Sequence, residues 1–442
     1  MDSSSDSEGI LSLRLLNSTP NSSSASDTSS SQNNLGTSQK NIRSDNVLEE
    51  DFIAVFGGLG YIGSHTCLEL LKAGYNVLII DNLSNSFEAT FSQILNLVEQ
   101  HHHSKRQKVP LMHLYRADYR DESRIREILS EYVIPDLVST FVTAPRSRIT
   151  GVIHFAAYKS VLESIEQPLK YYDNNVAGLI KFCSILSEFN IKRFIFSSSA
   201  TVYGSKANSR VQLREEDCVH QSESYVDQFG TYHLSEPGCI GLTNPYGRTK
   251  WMCEAILSDI AVADREWSIM ALRYFNPIGC DESGLIGEDP CGVPTNLMPV
   301  LMQVISGKIP SIKIFGTDYP NTHDGTAVRD YIHVSDLARG HICSLQAAAK
   351  MNGFKTYNLG SGTGYSVQDM IKAVEQVSSV KIPIQISPRR EGDVEKCIAW
   401  PKRAEEELHW KTERSLIDAC EDMMRFIRRK NFQTNVMMAK VS

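Results

Sequence analysis

Tyr246 and Lys250, four residues apart, form the pair in this sequence whose spacing best fits acid–base chemistry. A free phenol has a pKa of about 10 and is a poor base at neutral pH. On a helix the two side chains lie one turn apart, where the ammonium group, together with a positively charged cofactor ring, favours the phenolate. Asn244 and Pro245 predict that a helix begins here. The pair is therefore a catalytic candidate, although the same spacing also occurs on surface helices.

A serine at the end of an apolar stretch is a third candidate. The run Arg193–Ser197 predicts a buried strand, and Ser199 follows it closely. Parallel sheets bind ligands at the carboxyl ends of their strands, where a serine can share a hydrogen bond with a reacting hydroxyl group. The alternative is a hydroxyl-rich strand end that only satisfies backbone groups.

Three glycines with the spacing GxxGxxG follow the first predicted strand. Gly57 permits a tight turn, Gly60 lets a diphosphate approach the backbone, and Gly63 lets the next helix pack closely. The free N–H groups at the start of that helix then face the phosphates. The predicted cofactor-binding residues of this turn are Gly57, Gly60, Tyr61, Ile62 and Gly63.

An acidic residue, Asp81, ends the second predicted strand. We expect its carboxylate to accept hydrogen bonds from an adenosine ribose and to repel a 2′-phosphate. No arginine follows immediately, so the cofactor is predicted to be NAD rather than NADP.

The elements that position these residues alternate between strand-like and helix-like stretches. This alternation predicts an α/β fold with a doubly wound parallel sheet. Pro, Gly and loop residues become frequent after residue 275, which predicts a smaller lobe. The expected organisation is a dinucleotide-binding domain at 51–275, a C-terminal substrate-binding lobe at 276–430, and a tail at 431–442.

Four other segments do not fit this alternation. Residues 1–48 are rich in Ser, Asn and Thr and cannot bury much apolar surface, so we expect a disordered tail. Segments near 88–112, 135–150 and 205–243 are interpreted as surface insertions.

The composition of the chain indicates which partners are not expected and which cellular compartment is favoured. The 442 residues carry a formal net charge of -7, which argues against nucleic acid as a partner. No apolar run is long enough to span a bilayer, so no membrane partner is expected. Ten scattered cysteines and an acidic, serine-rich start favour the cytoplasm. The triplet at 101–103 is histidine, but neighbours on a helix point apart, so no metal site is predicted.

The sequence resembles the UDP-galactose 4-epimerase (UDP-glucose 4-epimerase) family of the extended short-chain dehydrogenase/reductase superfamily. That resemblance implies a Rossmann-type sheet, and it runs from residue 52 to about residue 428. The matching strings, in order, are GGLGYIGSHT, DNLSNS, HFAAYKSVLES, YYDNNV, FIFSSSATVYG, NPYGRTK, LRYFNPIG, NLMPV, IFGTDYP, DGTAVRDYIHV, YNLGSGTGYSV and PRREGD.

The resemblance implies individual roles, with Ser199, Tyr246 and Lys250 catalytic. On chemical grounds as well, Arg329 and Arg390 are good clamps for a diphosphate, because each guanidinium offers several N–H donors. The positions implied around NAD are Asp81, Asn82, Asp118, Lys159, Asn174, Tyr246, Lys250 and Tyr274. The positions implied around a UDP-sugar are Ser199, Thr201, Tyr246, Tyr274, Asn276, Asn296, Leu297, Ile312, Phe315, Arg329, Tyr331, Arg390, Asp393 and Cys397.

The implied reaction is reversible 4-epimerisation of UDP-glucose and UDP-galactose in galactose metabolism. Tyr246 takes the proton of the sugar 4-hydroxyl while hydride passes to NAD. The 4-keto sugar then turns about its diphosphate linkage and is reduced on its other face. No net oxidation occurs, so NAD is expected to stay bound. The resemblance also implies a homodimer.

Cys397 bears on the sugar range, because in the family a bulky tyrosine at this position accompanies restriction to glucose and galactose. The small cysteine predicts activity on UDP-GlcNAc and UDP-GalNAc as well. The alternative is a thiol of no consequence for the sugar.

Rival functions fit the sequence less well, among them a UDP-glucuronate decarboxylase, for which no features that bind the sugar carboxylate are seen. A nucleotide-sugar 4,6-dehydratase has an acidic pair after its catalytic Ser or Thr, whereas Ala200 and Thr201 stand here. An inactive NAD-binding regulator would usually lack Tyr246 or Lys250. For the 205–243 insertion two roles stay open, covering the substrate entrance or extending an oligomer surface.

Overall fold

The computed structural model describes residues 50–135, 145–209, 211–227, 229–292, 294, 296–390 and 392–441, the last ten by their backbone alone. The tail predicted at 1–48 lies outside these residues. In chain order the strands are β1 (Phe52–Phe56), β2 (Asn76–Asp81), β3 (Met112–Arg116), β4 (Val133–Ile134), β5 (Arg146–Ser147), β6 (Ile149–His154), β7 (Arg193–Ser199), β8 (Glu223–Val226), β9 (Tyr232–Ser235), β10 (Ser268–Tyr274), β11 (Asn276–Ile278), β12 (Ile312–Phe315), β13 (Val328–His333), β14 (Gly353–Leu359), β15 (Gly364–Ser366), β16 (Ile384–Ser387) and β17 (Lys396–Cys397).

The α-helices in chain order are α1 (Tyr61–Lys72), α2 (Ala89–Lys105), α3 (Glu122–Ser130), α4 (Val161–Glu166), α5 (Pro168–Tyr171), α6 (Gly178–Glu188), α7 (Pro245–Ala263), α8 (Leu297–Ile305), α9 (Val334–Ala348), α10 (Val367–Ser378), α11 (Lys402–Glu407) and α12 (Leu416–Val441). A π-helical segment, Tyr172–Ala177, joins α5 to α6. Two 3₁₀-helical segments cover Ala200–Asn208 and Glu215–Asp217.

Seven parallel strands form the central sheet, in the order β14-β10-β7-β6-β1-β2-β3. The inner strands are continuous apolar runs, as strands covered on both faces require. In β1, Phe52 and Phe56 pack into the core on one face of the sheet, and Ile53 and Val55 pack into the core on the other. The predicted doubly wound α/β fold is confirmed.

The direction in which strands are added reverses at β1. The chain runs from β1 to β2 and β3 on one side, then crosses to β6, β7, β10 and β14 on the other. The carboxyl ends of β1 and β6 therefore border a crevice, and open α/β sheets bind ligands at such a point. The fold thus places the glycine turn after β1 at the expected ligand-binding edge.

The domain boundary predicted at residue 275 is wrong in one respect. β14 is an edge strand of the central sheet and pairs with β10 along its whole length. α9, which precedes it, packs on α1. Residues 334–359 therefore belong with the first domain. The β14 sequence, GFKTYNL, mixes polar and apolar residues because it lies at the sheet edge, so it does not have the pattern of a buried strand.

The predicted insertions have different outcomes. Residues 88–112 are not an insertion: α2 packs on α1 and leads into β3 as an ordinary crossover. The side chain of His102 is buried and its ring is bonded to the Leu71 carbonyl at 2.9 Å, so this histidine of the triplet packs between α2 and α1. At 135–150 the paired strands β4 and β5 form a short hairpin, whose residues 136–144 lie outside the described part.

The 205–243 segment is only partly a surface insertion. Its first half is anchored in the core, where Leu213 and Cys218 are buried. Its second half forms the exposed hairpin of β8 and β9.

The smaller lobe combines short sheets with three helices. β13 pairs with β11, β15 and β17, and β12 pairs with β16. Side chains of α8, α10 and α12, such as Leu301, Met370 and Met423, fill its core. α12 continues to Val441, so the predicted tail at 431–442 is helical over nearly its whole length. Among the described residues, no helix is both long and apolar enough to cross a membrane.

Candidate active site

A cleft of about 2190 Å³ opens at the carboxyl edge of the central sheet and is lined by both lobes. Among the residues predicted for the site, all but Asp118 and Cys397 line it. The predicted residues in its lining are Gly57, Gly60, Tyr61, Ile62, Gly63, Asp81, Asn82, Lys159, Asn174, Ser199, Thr201, Tyr246, Lys250, Tyr274, Asn276, Asn296, Leu297, Ile312, Phe315, Arg329, Tyr331, Arg390 and Asp393.

The catalytic candidates meet where β7 ends and α7 begins. Asn244 caps α7, its Oδ1 accepting the Gly247 N–H at 2.8 Å, and Pro245 occupies the first turn. This confirms the predicted helix start. Tyr246 and Lys250 then share the helix side that faces the end of β7.

Lys250 is held by the strand end. Its Nζ donates to the Ser197 carbonyl oxygen at 2.5 Å and to the Ser197 hydroxyl at 3.2 Å. The ammonium group also lies 4.7 Å from the centroid of the Phe196 ring. Burial lowers the pKa of Lys250 to about 8. The lysine is therefore fixed in a dry site where its charge is weakly screened.

The Ser199 hydroxyl lies near enough to the Tyr246 phenol to lower its pKa as a hydrogen-bond donor. Ser199 Oγ also accepts the Thr201 N–H at 3.2 Å, which leaves the serine proton for the tyrosine oxygen. Burial raises the pKa of Tyr246 to about 12, and the Ser199 hydrogen bond opposes this only in part. In the protein alone the cost of burying a phenolate dominates, and the lowering of the Tyr246 pKa by Lys250 together with a cofactor ring stays a prediction. A cationic cofactor ring remains the group that can favour the phenolate.

The glycine turn has the shape that a dinucleotide diphosphate needs. Gly57 has φ +76°, and a Cβ there would lie 2.9 Å from the Ala156 nitrogen. A Cβ on Gly63 would lie 2.2 Å from the Gly57 oxygen. α1 begins at Tyr61 with no side-chain cap, so its first N–H groups point into the cleft. These features fit NAD.

Asp81 organises the turn as well as the cleft. One carboxylate oxygen accepts the Leu59 N–H at 2.9 Å, and the other accepts the Leu83 N–H at 2.9 Å and the Ser86 hydroxyl at 2.8 Å. It therefore ties the glycine turn to the loop after β2. This bracing role is additional to the predicted contact with ribose.

Asp118 does not have the predicted place in the cleft lining. Its carboxylate accepts hydrogen bonds from Arg120 at 2.9 and 3.0 Å and from Asn82 Nδ2 at 3.1 Å. The hydrogen-bonded guanidinium of Arg120 holds the pKa of Asp118 below its usual value. The Asp118 carboxylate is therefore already bound by Arg120. Through its hydrogen bond it also orients Asn82, which lines the cleft.

The π-helical segment braces the catalytic helix. Asn174 Nδ2 donates to Asn175 Oδ1 at 2.9 Å, and Asn175 Nδ2 donates to the Tyr158 carbonyl at 3.0 Å and the Thr249 hydroxyl at 3.1 Å. Thr249 directly precedes Lys250 in α7. Wide helical turns of this kind are frequent at functional sites, and this one turns Asn174 towards the cleft.

Side chains from both lobes narrow the cleft at Glu288. Lys159 Nζ lies 3.5 Å from Glu288 Oε1, and Asn296 Nδ2 donates to the same oxygen at 3.4 Å. Farther in, the Tyr274 hydroxyl is bonded to His341 Nε2. Burial, reinforced by Tyr246, raises the pKa of Tyr274, which keeps that phenol protonated.

The smaller lobe contributes a pair of arginines that share one carboxylate. Arg329 lies 3.3 Å from Asp393 Oδ1, and Arg390 Nε donates to Asp393 Oδ2 at 3.0 Å. The Arg390 guanidinium also lies 4.9 Å from the Phe315 ring centroid. Two positive charges against one negative leave this wall of the cleft cationic, which suits a diphosphate.

Of two further predicted positions, Thr201 lines the cleft and Cys397 does not. Thr201 Oγ1 is buried and lacks a hydrogen-bond partner in the described part of the chain, so it is available to a polar ligand. Cys397 is absent from the lining. It pairs with Arg329 across β17 and β13, and its short side chain packs against the hydrophobic cluster that includes Val202 and Phe275.

Some site residues were missed from the sequence. Ser197, which binds Lys250, lies two residues before Ser199, and strand alternation places the two on one face. His341, the partner of Tyr274, carries no local signal because it is 67 residues distant. Glu254 lies one helical turn beyond Lys250, where a carboxylate within a buried helix face is itself unusual.

The NAD dependent epimerase/dehydratase family model matches residues 53–360 of this chain. Curated relatives include the UDP-glucose 4-epimerase of Bacillus subtilis, 42% identical over 374 residues, which cover 85% of this chain and 96% of that protein. The UDP-glucose 4-epimerase of Drosophila melanogaster is 41% identical over 378 residues, which cover 85% of this chain and 95% of that protein.

Solved structures agree with these relatives. UDP-glucose 4-epimerase from Stenotrophomonas maltophila, with bound NAD and formylated UDP-arabinopyranose, has a TM-score of 0.73 and 37% identity, over 87% of this chain and 99% of that chain. The Bifidobacterium longum enzyme, in complex with NAD+ and UDP, has a TM-score of 0.72 and 38% identity, over 86% of this chain and 99% of that chain.

The chain therefore belongs to the NAD-dependent epimerase/dehydratase family. Within it, the predicted likeness to UDP-galactose 4-epimerases is confirmed. The protein is an NAD-dependent epimerase, and hence an isomerase.

Proposed function

We propose that this chain interconverts UDP-glucose and UDP-galactose by inversion at C4 of the sugar, through a 4-keto intermediate and with NAD retained in the protein. The observation that carries the proposal is the meeting of Tyr246, Ser199 and Lys250 in one cleft with the glycine turn and the arginine pair. In this arrangement the redox site acts on the sugar of a substrate whose diphosphate is bound by the arginine pair.

The chain's own groups provide the proton transfer and the orientation. Tyr246 accepts the proton of the sugar 4-hydroxyl and later returns it to the opposite face. Ser199 donates to the tyrosine oxygen and so supports its charged form. Lys250, fastened to Ser197, supplies a fixed positive charge beside the site. The glycine turn and Asp81 hold NAD, which when bound supplies the hydride acceptor and donor for C4.

Inversion requires the sugar to turn while the nucleotide stays anchored. The clamp of Arg329, Arg390 and Asp393 suits this requirement, because it grips a diphosphate and leaves the hexose free. Thr201, with its unpartnered buried hydroxyl, can hold a sugar hydroxyl. The cleft is also large enough for both ligands together.

We extend the proposal to UDP-GlcNAc and UDP-GalNAc. This extension rests on the small side chain of Cys397, which packs against the cluster that includes Val202 and Phe275. A Campylobacter jejuni UDP-Glc/GlcNAc 4-epimerase resembles this chain with 28% identity and a TM-score of 0.64. A role in galactose metabolism, a homodimer and a cytoplasmic location are also part of the proposal. All ten cysteines are free thiols, which fits a reducing compartment.

The test is to incubate the purified protein with UDP-galactose and no added NAD, and to separate the UDP-sugars by chromatography. The expected result is UDP-glucose formation up to equilibrium. Absence of conversion, or conversion that starts only when NAD is supplied, would contradict the proposal.

The same assay with UDP-GalNAc tests the sugar range. Wild type is expected to convert it, whereas Cys397→Tyr is expected to lose that activity and keep conversion of UDP-galactose. Negligible UDP-GalNAc conversion by both proteins would refute the extension to N-acetylated sugars.

A further inference from the structure

A buried carboxylate links the strand and the helix that carry the catalytic groups. Glu254 lies on α7, four residues after Lys250 and eight after Tyr246, and its side chain is 0% exposed. It accepts the Ser198 hydroxyl, which belongs to β7 directly before Ser199. The carboxylate therefore joins the end of β7 to the catalytic helix.

Two further side chains complete the environment of Glu254. Arg273, on β10, donates to its two oxygens at 3.1 and 2.7 Å. His220 Nε2 bonds to Glu254 Oε2 at 2.8 Å, and with the ring proton on that nitrogen the histidine is the donor. Arg273 and His220 outweigh the burial of Glu254 and lower its pKa to about 2. A buried carboxylate of this kind depends on every one of its donors.

His220 comes from the segment 205–243, not from the catalytic elements. Its side chain is only 3% exposed, and its ring lies 5.5 Å from the Trp251 ring and 5.9 Å from the Phe354 ring. The backbone next to it is also fixed, because Arg273 donates to the Cys218 carbonyl at 2.7 Å. The segment thus inserts one buried ring beside the helix that carries Tyr246 and Lys250.

We propose that His220 is a positioning residue for the epimerase reaction, acting through Glu254 and Ser198 on the position of Ser199 beside Tyr246. The inference rests on the proposed function. It assigns the buried half of the 205–243 segment a role that neither an entrance cover nor an oligomer surface describes. A misplacement of about 1 Å, caused by a change far from the reacting atoms, can lower the rate about 100-fold.

The test compares His220→Leu with His220→Gln. Leucine fills the space between the two aromatic rings but donates nothing, whereas glutamine can still donate to Glu254. His220→Leu is expected to lower kcat about 10-fold, with unchanged KM for UDP-galactose and unchanged NAD content. His220→Gln is expected to recover most of that loss. His233→Ala, an exposed histidine of the same segment bonded to Asp227, is the matched control and should equal wild type.

Ser198→Ala provides a second route to the same link. It is expected to lower kcat in the same way, and its combination with His220→Leu should cost little more than either change alone, because both break one connection. If His220→Leu cannot be purified, His220→Met, which also lacks a donor, replaces it in both comparisons.

Three results would overturn the inference: a His220→Leu protein with lowered Tm but normal kcat, equal losses for leucine and glutamine, or additive losses in the double variant. A wild-type protein without epimerase activity would refute the proposed function itself, and the positioning role with it. The two failures are thereby distinguished.

Discussion

The two sides of the cleft bind by different means. On the NAD side the backbone forms the site: Gly57 and Gly63 leave no room for a side chain, and the first N–H groups of α1 have no side-chain cap. On the proposed UDP-sugar side, the side chains of Arg329, Arg390 and Asp393 form it. A site formed by the backbone should lose its ligand completely when a side-chain atom is added. A site formed by side chains should only lose part of its affinity when one charge is removed.

The largest expected effect is that of Gly63→Val on the NAD side. The added Cβ would lie 2.2 Å from the Gly57 oxygen, so α1 must move away from the turn. We expect the purified protein to lack NAD and to lose activity at least about 1000-fold, which is about 4 kcal/mol of binding. NAD content is measured by chromatography after denaturation. A folded variant with normal NAD content would break the comparison.

A smaller, graded effect is expected from Arg329→Met on the UDP-sugar side. Loss of a charge-assisted contact with a diphosphate, about 1.5–3 kcal/mol, should raise KM about 10- to 100-fold. NAD content should not change. Arg389→Met is the matched control, since Arg389 pairs with Asp318 and lies 4.0 Å from the Tyr319 ring centroid. A changed NAD content, or an equal effect of the two variants, would contradict the separation of the two sides.

The smallest expected effect concerns acid stability, because the NAD side buries histidines. Burial lowers the pKa of His154 to about 3 and that of His341 to about 4. Between an unfolded pKa of 6.5 and these values, the unfolded chain binds protons that the folded chain does not, so stability falls as the pH falls. We expect Tm to drop by on the order of 5 °C from pH 7 to pH 4.5.

His154→Phe tests the source of that drop. His154 lies among aromatic side chains that include Phe182 and Phe194, so a phenylalanine suits its surroundings and removes the titration. The Tm of the variant is expected to fall less steeply with acid than that of wild type. An identical slope would show that His154 does not contribute.

The distance along the chain between the residues of a feature explains whether the sequence could predict that feature. The glycine turn, Asp81 and the Tyr246/Lys250 pair depend on residues close together in sequence, and all of them line the cleft as predicted. By contrast, Asp393 lies 64 residues from Arg329, so no local pattern reveals that one carboxylate is shared by two arginines.

The features that the sequence did not reveal have physical causes of the same kind. β14 was assigned to the lobe because an edge strand lacks a continuous apolar run. Asp118 was expected in the cleft, but a strong partner two residues away, Arg120, binds its carboxylate. In the protein alone, burial raises the pKa of Tyr246 to about 12, and the sequence does not reveal that burial.

The central claim is that Tyr246 moves the proton while NAD remains bound, and Tyr246→Phe tests it most directly. Conversion of UDP-galactose should be compared with wild type at equal NAD content and without added NAD. The account predicts that kcat falls about 10²- to 10⁴-fold, the usual contribution of a positioned acid–base group. An unchanged kcat in a variant with full NAD content would contradict it.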